Sequence, residues 1–214
     1  MSIAPEWKTL STAIISDVLD SLGFTEQVSA PGLVPLEEGD LKVGRARTGL
    51  WSKGDSPEGH PYLNLVGFID SLSVDDFAIF SQQDIPVCSL WGDILSTVAV
   101  SKGTVGAVVD GLIRDPLGSK QAGFAIWSRG NTPVDPAGRA YLSATDIKVN
   151  CGGVSVEPGT LLFADVDGVV FIPSEVEQEV LDLGLKSLKS EDVALKRLRN
   201  GEALADIFAD LGTV

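Results

Sequence analysis

Between residues 94 and 128 the chain alternates helix-spaced segments with continuous apolar runs, and this alternation restricts its fold more than any other feature. Residues 94–102 read as a helix, 105–110 as a buried strand, 117–122 as a short helix and 124–128 as a further strand. Short apolar strands separated by helices are the pattern of βαβ units rather than of an all-β barrel. Upstream, 41–50, 76–80 and 85–90 read as strands, and 61–72 as a helix that spaces Leu63, Val66, Phe68, Ile69 and Leu72 along its length. The first helix covers 10–22, with Ser11 or Thr12 available to cap it, Ile14, Ile15, Val18, Leu19 and Leu22 on one face, and Gly23 at its end.

A Pro/Gly-rich stretch follows at 30–39, and a second Gly/Pro-rich loop at 130–138 precedes strands at 147–151, 161–164 and 168–172. Pro173 and Ser174 then open a long amphipathic helix reaching about Asn200, and a last helix ends near Leu211. Between Val176 and Leu198 the long helix carries more apolar positions than one narrow stripe needs, so packing on both the sheet and a neighbouring subunit is expected. No repeat, low-complexity tract or composition break marks a linker, which gives one α/β domain over residues 1–214.

The composition limits what this domain can bind. Of 214 residues, 44% are hydrophobic, enough for a substantial core, while 16 Lys and Arg face 30 Asp and Glu. The net charge of −14 has the wrong sign for binding nucleic acid or an anionic membrane through a basic face. One histidine, His60, and two cysteines, Cys88 and Cys151, exclude His-rich zinc sites, zinc-spaced cysteine pairs and a dense disulfide framework, so any metal has to be held by oxygen. Both cysteines lie among strand-like residues and read as free buried thiols. Residues 1–7 lack a targeting pattern, and no apolar run approaches the ~20 residues of a membrane-spanning helix. A soluble protein of a reducing, cytoplasmic compartment is the expectation.

Chemistry concentrates in residues 91–115, which read as strand, tight turn, helix, turn and buried strand, with Arg114 and Asp115 at that strand's carboxyl end. In α/β sheets ligands bind at this end, beside a helix N-terminus. Gly92 and Asp93 start the helix, so the amides of Ile94 and Leu95 are unpaired donors able to hold a small carboxylate, and Gly92 admits a close approach. Arg114 offers a planar fork for a carboxylate or oxo group, and Asp115 is a hard oxygen ligand. Taken singly, these residues have plainer roles: Asp93 as an N-cap, Arg114 and Asp115 as a surface ion pair, Asp110 and Gly111 as a turn. Lys102 reads as a cation near a helix carboxyl end, Asp165 and Asp167 as a hairpin turn, and His60 as a helix-start or surface residue. Gly103, Gly106 and Gly111 lack the spacing of a dinucleotide-binding loop.

Asp93, twenty intervening residues and then Arg114-Asp115 resemble the signature of the class II, divalent-metal-dependent pyruvate aldolases. These act on 4-hydroxy-4-methyl-2-oxoglutarate and 4-carboxy-4-hydroxy-2-oxoadipate, and their family includes the RraA-like proteins, named for a regulator of ribonuclease E. The resemblance extends to 10–23 and 152–173 and so covers most of the chain. It implies a single-domain swivelling β/β/α (RraA-like) fold with a long C-terminal helix, assembled as a homotrimer or homohexamer with sites between subunits. It further implies that Asp115 coordinates Mg2+ or Mn2+, that Arg114 contacts the 2-oxo acid, and that the amides of Gly92 to Leu95 hold the pyruvyl carboxylate. Asp93 would act through a metal-bound water as proton shuttle. An acid of the neighbouring subunit would complete the site, with Glu191, Asp192 and Glu202 as candidates.

The implied reaction cleaves a 4-hydroxy-2-oxo dicarboxylic acid to pyruvate and a second 2-oxo acid, with oxaloacetate decarboxylation as a side activity. A divalent cation and Arg114 would stabilise the pyruvate enolate, and no Schiff-base lysine is required. Two alternatives stand beside it: a non-catalytic regulator that binds a ribonuclease, and a related lyase acting on another 2-oxo acid.

Overall fold

A computed structural model describes residues 3–39, 41–57 and 59–212. In chain order a 3-10 turn (Pro5–Thr9) and α1 (Thr12–Ser21) precede β1 (Val34–Pro35), β2 (Lys42–Lys53), α2 (Leu63–Ser71), β3 (Asp76–Gln83), β4 (Ser89–Trp91) and α3 (Asp93–Ser101). There follow β5 (Gly106–Val109), β6 (Leu112–Ile113), α4 (Pro116–Gln121), β7 (Ala125–Ser128) and β8 (Ala140–Thr145). Then come β9 (Val149–Cys151), β10 (Val154–Val156), β11 (Leu161–Ala164), β12 (Val169–Ile172), α5 (Glu177–Arg199) and α6 (Leu204–Leu211).

The alternation in the sequence becomes a parallel core, β7-β5-β3-β2, whose crossovers carry α2, α3 and α4. Antiparallel strands extend it, β1 beside β7, and β11 then β12 beyond β2. The long β2 pairs with β11 through Lys42 to Arg45 and with β8 through Gly49 to Lys53, with an irregularity between Leu50 and Trp51, so the sheet curls around this strand. The result is the mixed α/β architecture expected from the sequence.

Both faces of the sheet are covered, which is why its central strands are continuous apolar runs. Along β3, Phe77 and Ile79 join a cluster with Val108, Trp127, Leu162 and Phe171, while Ala78 and Phe80 join one with Phe68, Trp91 and Ile126 on the opposite face. A third cluster packs α1 and the start of α5 against β11 and β12 through Ile14, Ile15, Leu19, Phe163, Val170 and Val180. Ser11 caps α1 as expected, its Oγ accepting from the Ile14 amide at 3.2 Å. Asp165 belongs to this framework: its carboxylate accepts from Thr12 N at 3.0 Å, Thr12 Oγ1 at 2.7 Å and Asp167 N at 2.9 Å, which is the structural turn the sequence indicated.

Some boundaries differ. The strand expected at 85–90 forms only over Ser89–Trp91; Asp84 is left-handed (φ 46°), Pro86 has no amide to donate, and Val87 is 67% exposed. The structure adds β1, β6, β8 and β10 to the strands read from the sequence. The long helix begins at Glu177 rather than at Pro173. It buries Val180, Leu181, Gly184 and Ala194, while Val193 and Leu195, with Leu204 and Phe208 of α6, face outward. Cys88 and Cys151 are free and buried, and burial pushes both thiols above their ordinary range. Among the described residues no helix is long and apolar enough to cross a membrane.

Candidate active site

The spacing between Asp93 and Arg114 is a register. β4 and β6 lie parallel, pairing Ser89 with Leu112 and Trp91 with Ile113, and the Arg114 amide donates to Trp91 O at 2.9 Å. The chain leaves β4 through α3, crosses the sheet as β5 and returns as β6, so Gly92-Asp93 and Arg114-Asp115 emerge side by side. Residues 130–132 clasp β6 from its other edge, Ile113 N donating to Gly130 O at 3.0 Å and Thr132 N to Ile113 O at 2.9 Å. This corrects the single strand read at 105–110: β5 stops at Val109, and the two charges leave a second short strand. Asp110 makes the turn between them, accepting from Arg129 Nε at 2.8 Å and from Gly152 N at 2.7 Å.

Gly92, not Asp93, occupies the N-cap of α3, and Asp93 is the first helical residue. A Cβ at Gly92 would stand 3.2 Å from Arg114 Cγ and 3.3 Å from Asp115 Oδ2, so a side chain there would have to push these neighbours aside by a few tenths of an ångström. The amides of Ile94 and Leu95, in the first turn of α3, have no carbonyl behind them within the helix to pair with. The Asp93 side chain lies over Gly118 of α4, where an added Cβ would come within 2.7 Å of its Cβ and Oδ2. Buried Ser96 ties the layer together: its Oγ accepts from Trp91 Nε1 at 2.9 Å and lies 3.0 Å from both Gly92 O and Ser119 Oγ. Asp115 precedes Pro116 in the left-handed region (φ 53°, ψ 46°), an uncommon conformation outside glycine.

Arg114 reaches two carboxylates. Its Nη1 donates to Asp135 Oδ2 at 2.7 Å, while its Nε stands 3.4 Å from Asp115 Oδ2. Asp135 Oδ1 also accepts from the Tyr62 hydroxyl at 2.5 Å and from Ala137 N at 2.8 Å. Burial, then the hydrogen bond to Asp135 and its charge, push the Tyr62 phenol up to about 12 against the opposing charge of Arg114. Burial works to raise the Asp135 carboxyl as well, but the bonds from Tyr62, Ala137 and Arg114 outweigh it and hold it below its usual range. The fork expected of Arg114 is therefore partly engaged, through the bond from its Nη1 to Asp135.

Arg114 and Asp115 open on a cavity of about 230 Å³. Gly92, Asp93, Ile94, Leu95, Arg114 and Asp115 are all in its wall, with Trp51, Leu65, Val66 and Trp91 supplying much of the apolar remainder. Tyr62 and Pro136 also line it; the sequence signals neither Tyr62 nor Asp135 beyond an adjacent proline. Lys102 lies elsewhere, its Nζ donating to Asp70 O at 2.7 Å near the carboxyl end of α2, and exposed His60 accepts the Tyr62 amide at 3.3 Å just before that helix. Glu191, Asp192 and Glu202 do not line the cavity within this chain; Glu202 is ion-paired with Arg197.

Among the described residues no group of three or more His, Cys, Asp and Glu side chains converges as a closed metal site. The donor chemistry present is the half-exposed Asp115 carboxylate with Asp93 on the same wall. Such sparse, hard oxygen donors fit a cation like Mg2+ or Mn2+, which keeps several waters and takes further ligands from a substrate.

The fold defines a class: α/β proteins of the RraA-like type, with a curled mixed sheet and a long C-terminal helix. The RraA-like family model, described as Aldolase/RraA, matches residues 12–171, and the chain belongs to that family. A protein of Halalkalibacterium halodurans named "Putative 4-hydroxy-4-methyl-2-oxoglutarate aldolase" is 32% identical over 200 residues, covering 94% of this chain and 90% of that one. Among solved structures, an uncharacterised protein from Pseudomonas syringae pv. tomato superposes with a TM-score of 0.85 at 26% identity, over 98% of this chain and 96% of the other. Streptomyces coelicolor RraAS2, an unusual member of the RNase ES inhibitor RraA family, gives 0.78 at 28% identity, over 88% and 93%.

Proposed function

We propose that this protein is a divalent-metal-dependent aldolase that cleaves a 4-hydroxy-2-oxo dicarboxylic acid, such as 4-hydroxy-4-methyl-2-oxoglutarate, to pyruvate and a second 2-oxo acid. Oxaloacetate decarboxylation is its side activity. The observation that carries this reading is the convergence of the α3 N-terminus, Asp93, Arg114 and Asp115 on one cavity. The likeness to the named Halalkalibacterium protein supports the same reaction class.

In this mechanism the free amides of Ile94 and Leu95 bind the C1 carboxylate at the positive end of α3. Asp115 would hold Mg2+ or Mn2+, and the cation, when bound, would supply Lewis-acid chemistry to the 2-oxo group. Arg114 stabilises the negative charge that grows on that oxygen as the C3–C4 electron pair moves into the enolate. Asp93 takes the C4 hydroxyl proton, directly or through a water, as C4 becomes a carbonyl, and a proton is returned to C3 of the enolate. The apolar wall limits water around the reacting carbon. An acid from a neighbouring subunit, with Glu191, Asp192 and Glu202 as candidates, completes the site in a cytoplasmic trimer or dimer of trimers. The outward apolar side chains of α5 and α6 are consistent with such contacts, and light scattering of the purified protein measures the assembly.

The direct test is 4-hydroxy-4-methyl-2-oxoglutarate supplied with Mn2+ while pyruvate is followed through a coupled dehydrogenase. Turnover is expected, lost on chelation and restored by the ion. A second reading draws on the likeness to RraAS2: a non-catalytic regulator that binds a ribonuclease. Co-elution with a ribonuclease in the absence of any metal-dependent turnover would favour it.

A further inference from the structure

Arg114 stands between two carboxylates and is nearer the one that the proposed chemistry does not use. Its Nη1 is 2.7 Å from Asp135 Oδ2, the length of a charge-assisted hydrogen bond, whereas the 3.4 Å from its Nε to Asp115 Oδ2 is too long to hold that carboxylate firmly. Asp135 is fixed in turn, because Tyr62 Oη and Ala137 N both donate to its Oδ1. The loop that carries it is strapped to the site's own strands: Val134 O accepts from Ser89 N at 2.8 Å and from Ser89 Oγ at 2.9 Å, and Thr132 N donates to Ile113 O at 2.9 Å. A phenol raised to about 12 stays protonated, so Tyr62 remains a donor to Asp135.

We infer that Asp135 is a positioning residue that draws the Arg114 guanidinium away from the neighbouring Asp115 and so leaves the Asp115 carboxylate open to a divalent cation; the inference rests on the metal role of Asp115 in the proposed function. Arg114 and Asp115 are consecutive, and both stand beside Gly92 in the wall of the same cavity, so the guanidinium and the Asp115 carboxylate share one corner of the site. Without the Asp135 anchor, Asp115 is the nearest carboxylate already within reach. A cation would then have to displace an ion pair before binding.

The test is Mn2+ binding to the full chain without substrate, read by the electron paramagnetic resonance of free Mn2+, for wild type, Asp135→Asn, Arg114→Ala and the double variant. Asp135→Asn is expected to weaken binding about tenfold, the usual cost of removing an outer partner of a metal site. In the Arg114→Ala background the same substitution is expected to change binding by less than about twofold, since no guanidinium remains to close on Asp115. If Asp135→Asn does not fold, as judged by circular dichroism, Tyr62→Phe makes the same comparison with a smaller shift.

Equal binding by wild type and Asp135→Asn overturns the inference. A loss of the same size with and without Arg114 also overturns it, because Asp135 would then act through its own charge or through the fold. No Mn2+ binding by the wild type, or unchanged binding in Asp115→Asn, removes it together with the metal assignment. A protein that binds Mn2+ and shows the expected pattern but releases no pyruvate loses the aldolase reading while the inference stands.

Discussion

Gly118 shows how far one methyl group reaches into this site. A Cβ there would press within 2.7 Å of Asp93, yet alanine suits a helix better than glycine by roughly 1 kcal/mol. Gly118→Ala is therefore expected to leave the melting temperature close to that of the wild type while cutting pyruvate formation about 10- to 100-fold, the scale of a misplaced catalytic group. Equal activity would mean that the position of Asp93 is immaterial. Asp135 gives a second residue-scale expectation, in stability. Its carboxyl titrates lower in the folded chain than in the unfolded one, so the unfolded state binds the proton first on acidification. The stabilisation is complete above the ordinary carboxylate range, near pH 4, and is lost as the pH falls through and below it. Thermal melts from pH 7 down to pH 3 should show a shallower acid decline for Asp135→Asn than for the wild type.

At the scale of elements, the site depends on β4, α3 and α4 moving as one layer, and Ser96 is their joint. Removing its hydroxyl leaves Trp91 Nε1 without its acceptor and Ser119 without its partner, in a region where Ser96 and Ser119 are fully buried. Ser96→Ala is expected to cost about 1–3 kcal/mol in chemical denaturation, the penalty of stranding a buried polar group. A change within a few tenths of that scale would place the joint elsewhere. The same layer marks what could be read from sequence. β3, β5 and β7 were legible because strands covered on both faces are uninterrupted apolar runs, and α1 was legible from Ser11 and its one-sided spacing. β6 was not, because two residues carry no periodicity; it is a strand only by its pairing with β4. The failed stretch at 85–87 had apolar composition but a left-handed Asp84 and a proline that break the ladder. Asp93, Arg114 and Asp115 declared themselves within one window, whereas Asp135 lies 21 positions from Arg114 and 73 from Tyr62, and only the folded chain brings the three together.

For the whole molecule, the charge of −14 bears on how an anionic substrate arrives. An acidic protein gives a dicarboxylate no long-range attraction, so under the proposed function its capture would depend on Arg114, the α3 N-terminus and a cation inside the cavity. Screening then weakens repulsion rather than steering, and kcat/KM for oxaloacetate is expected to rise modestly as ionic strength increases from low salt. A steep fall would point instead to a basic approach path across the assembled protein.

Under the proposed function, Arg114 and Asp115 make this cavity a metal-dependent site for pyruvyl chemistry. Oxaloacetate with Mg2+ or Mn2+, and pyruvate followed by a coupled dehydrogenase, measures it most directly. Pyruvate should form well above the rate with metal alone, and Arg114→Ala and Asp115→Ala should each lower the enzymatic rate by at least about 100-fold, as expected for groups that stabilise the developing charge. No excess pyruvate, or variants as fast as the wild type, would contradict it.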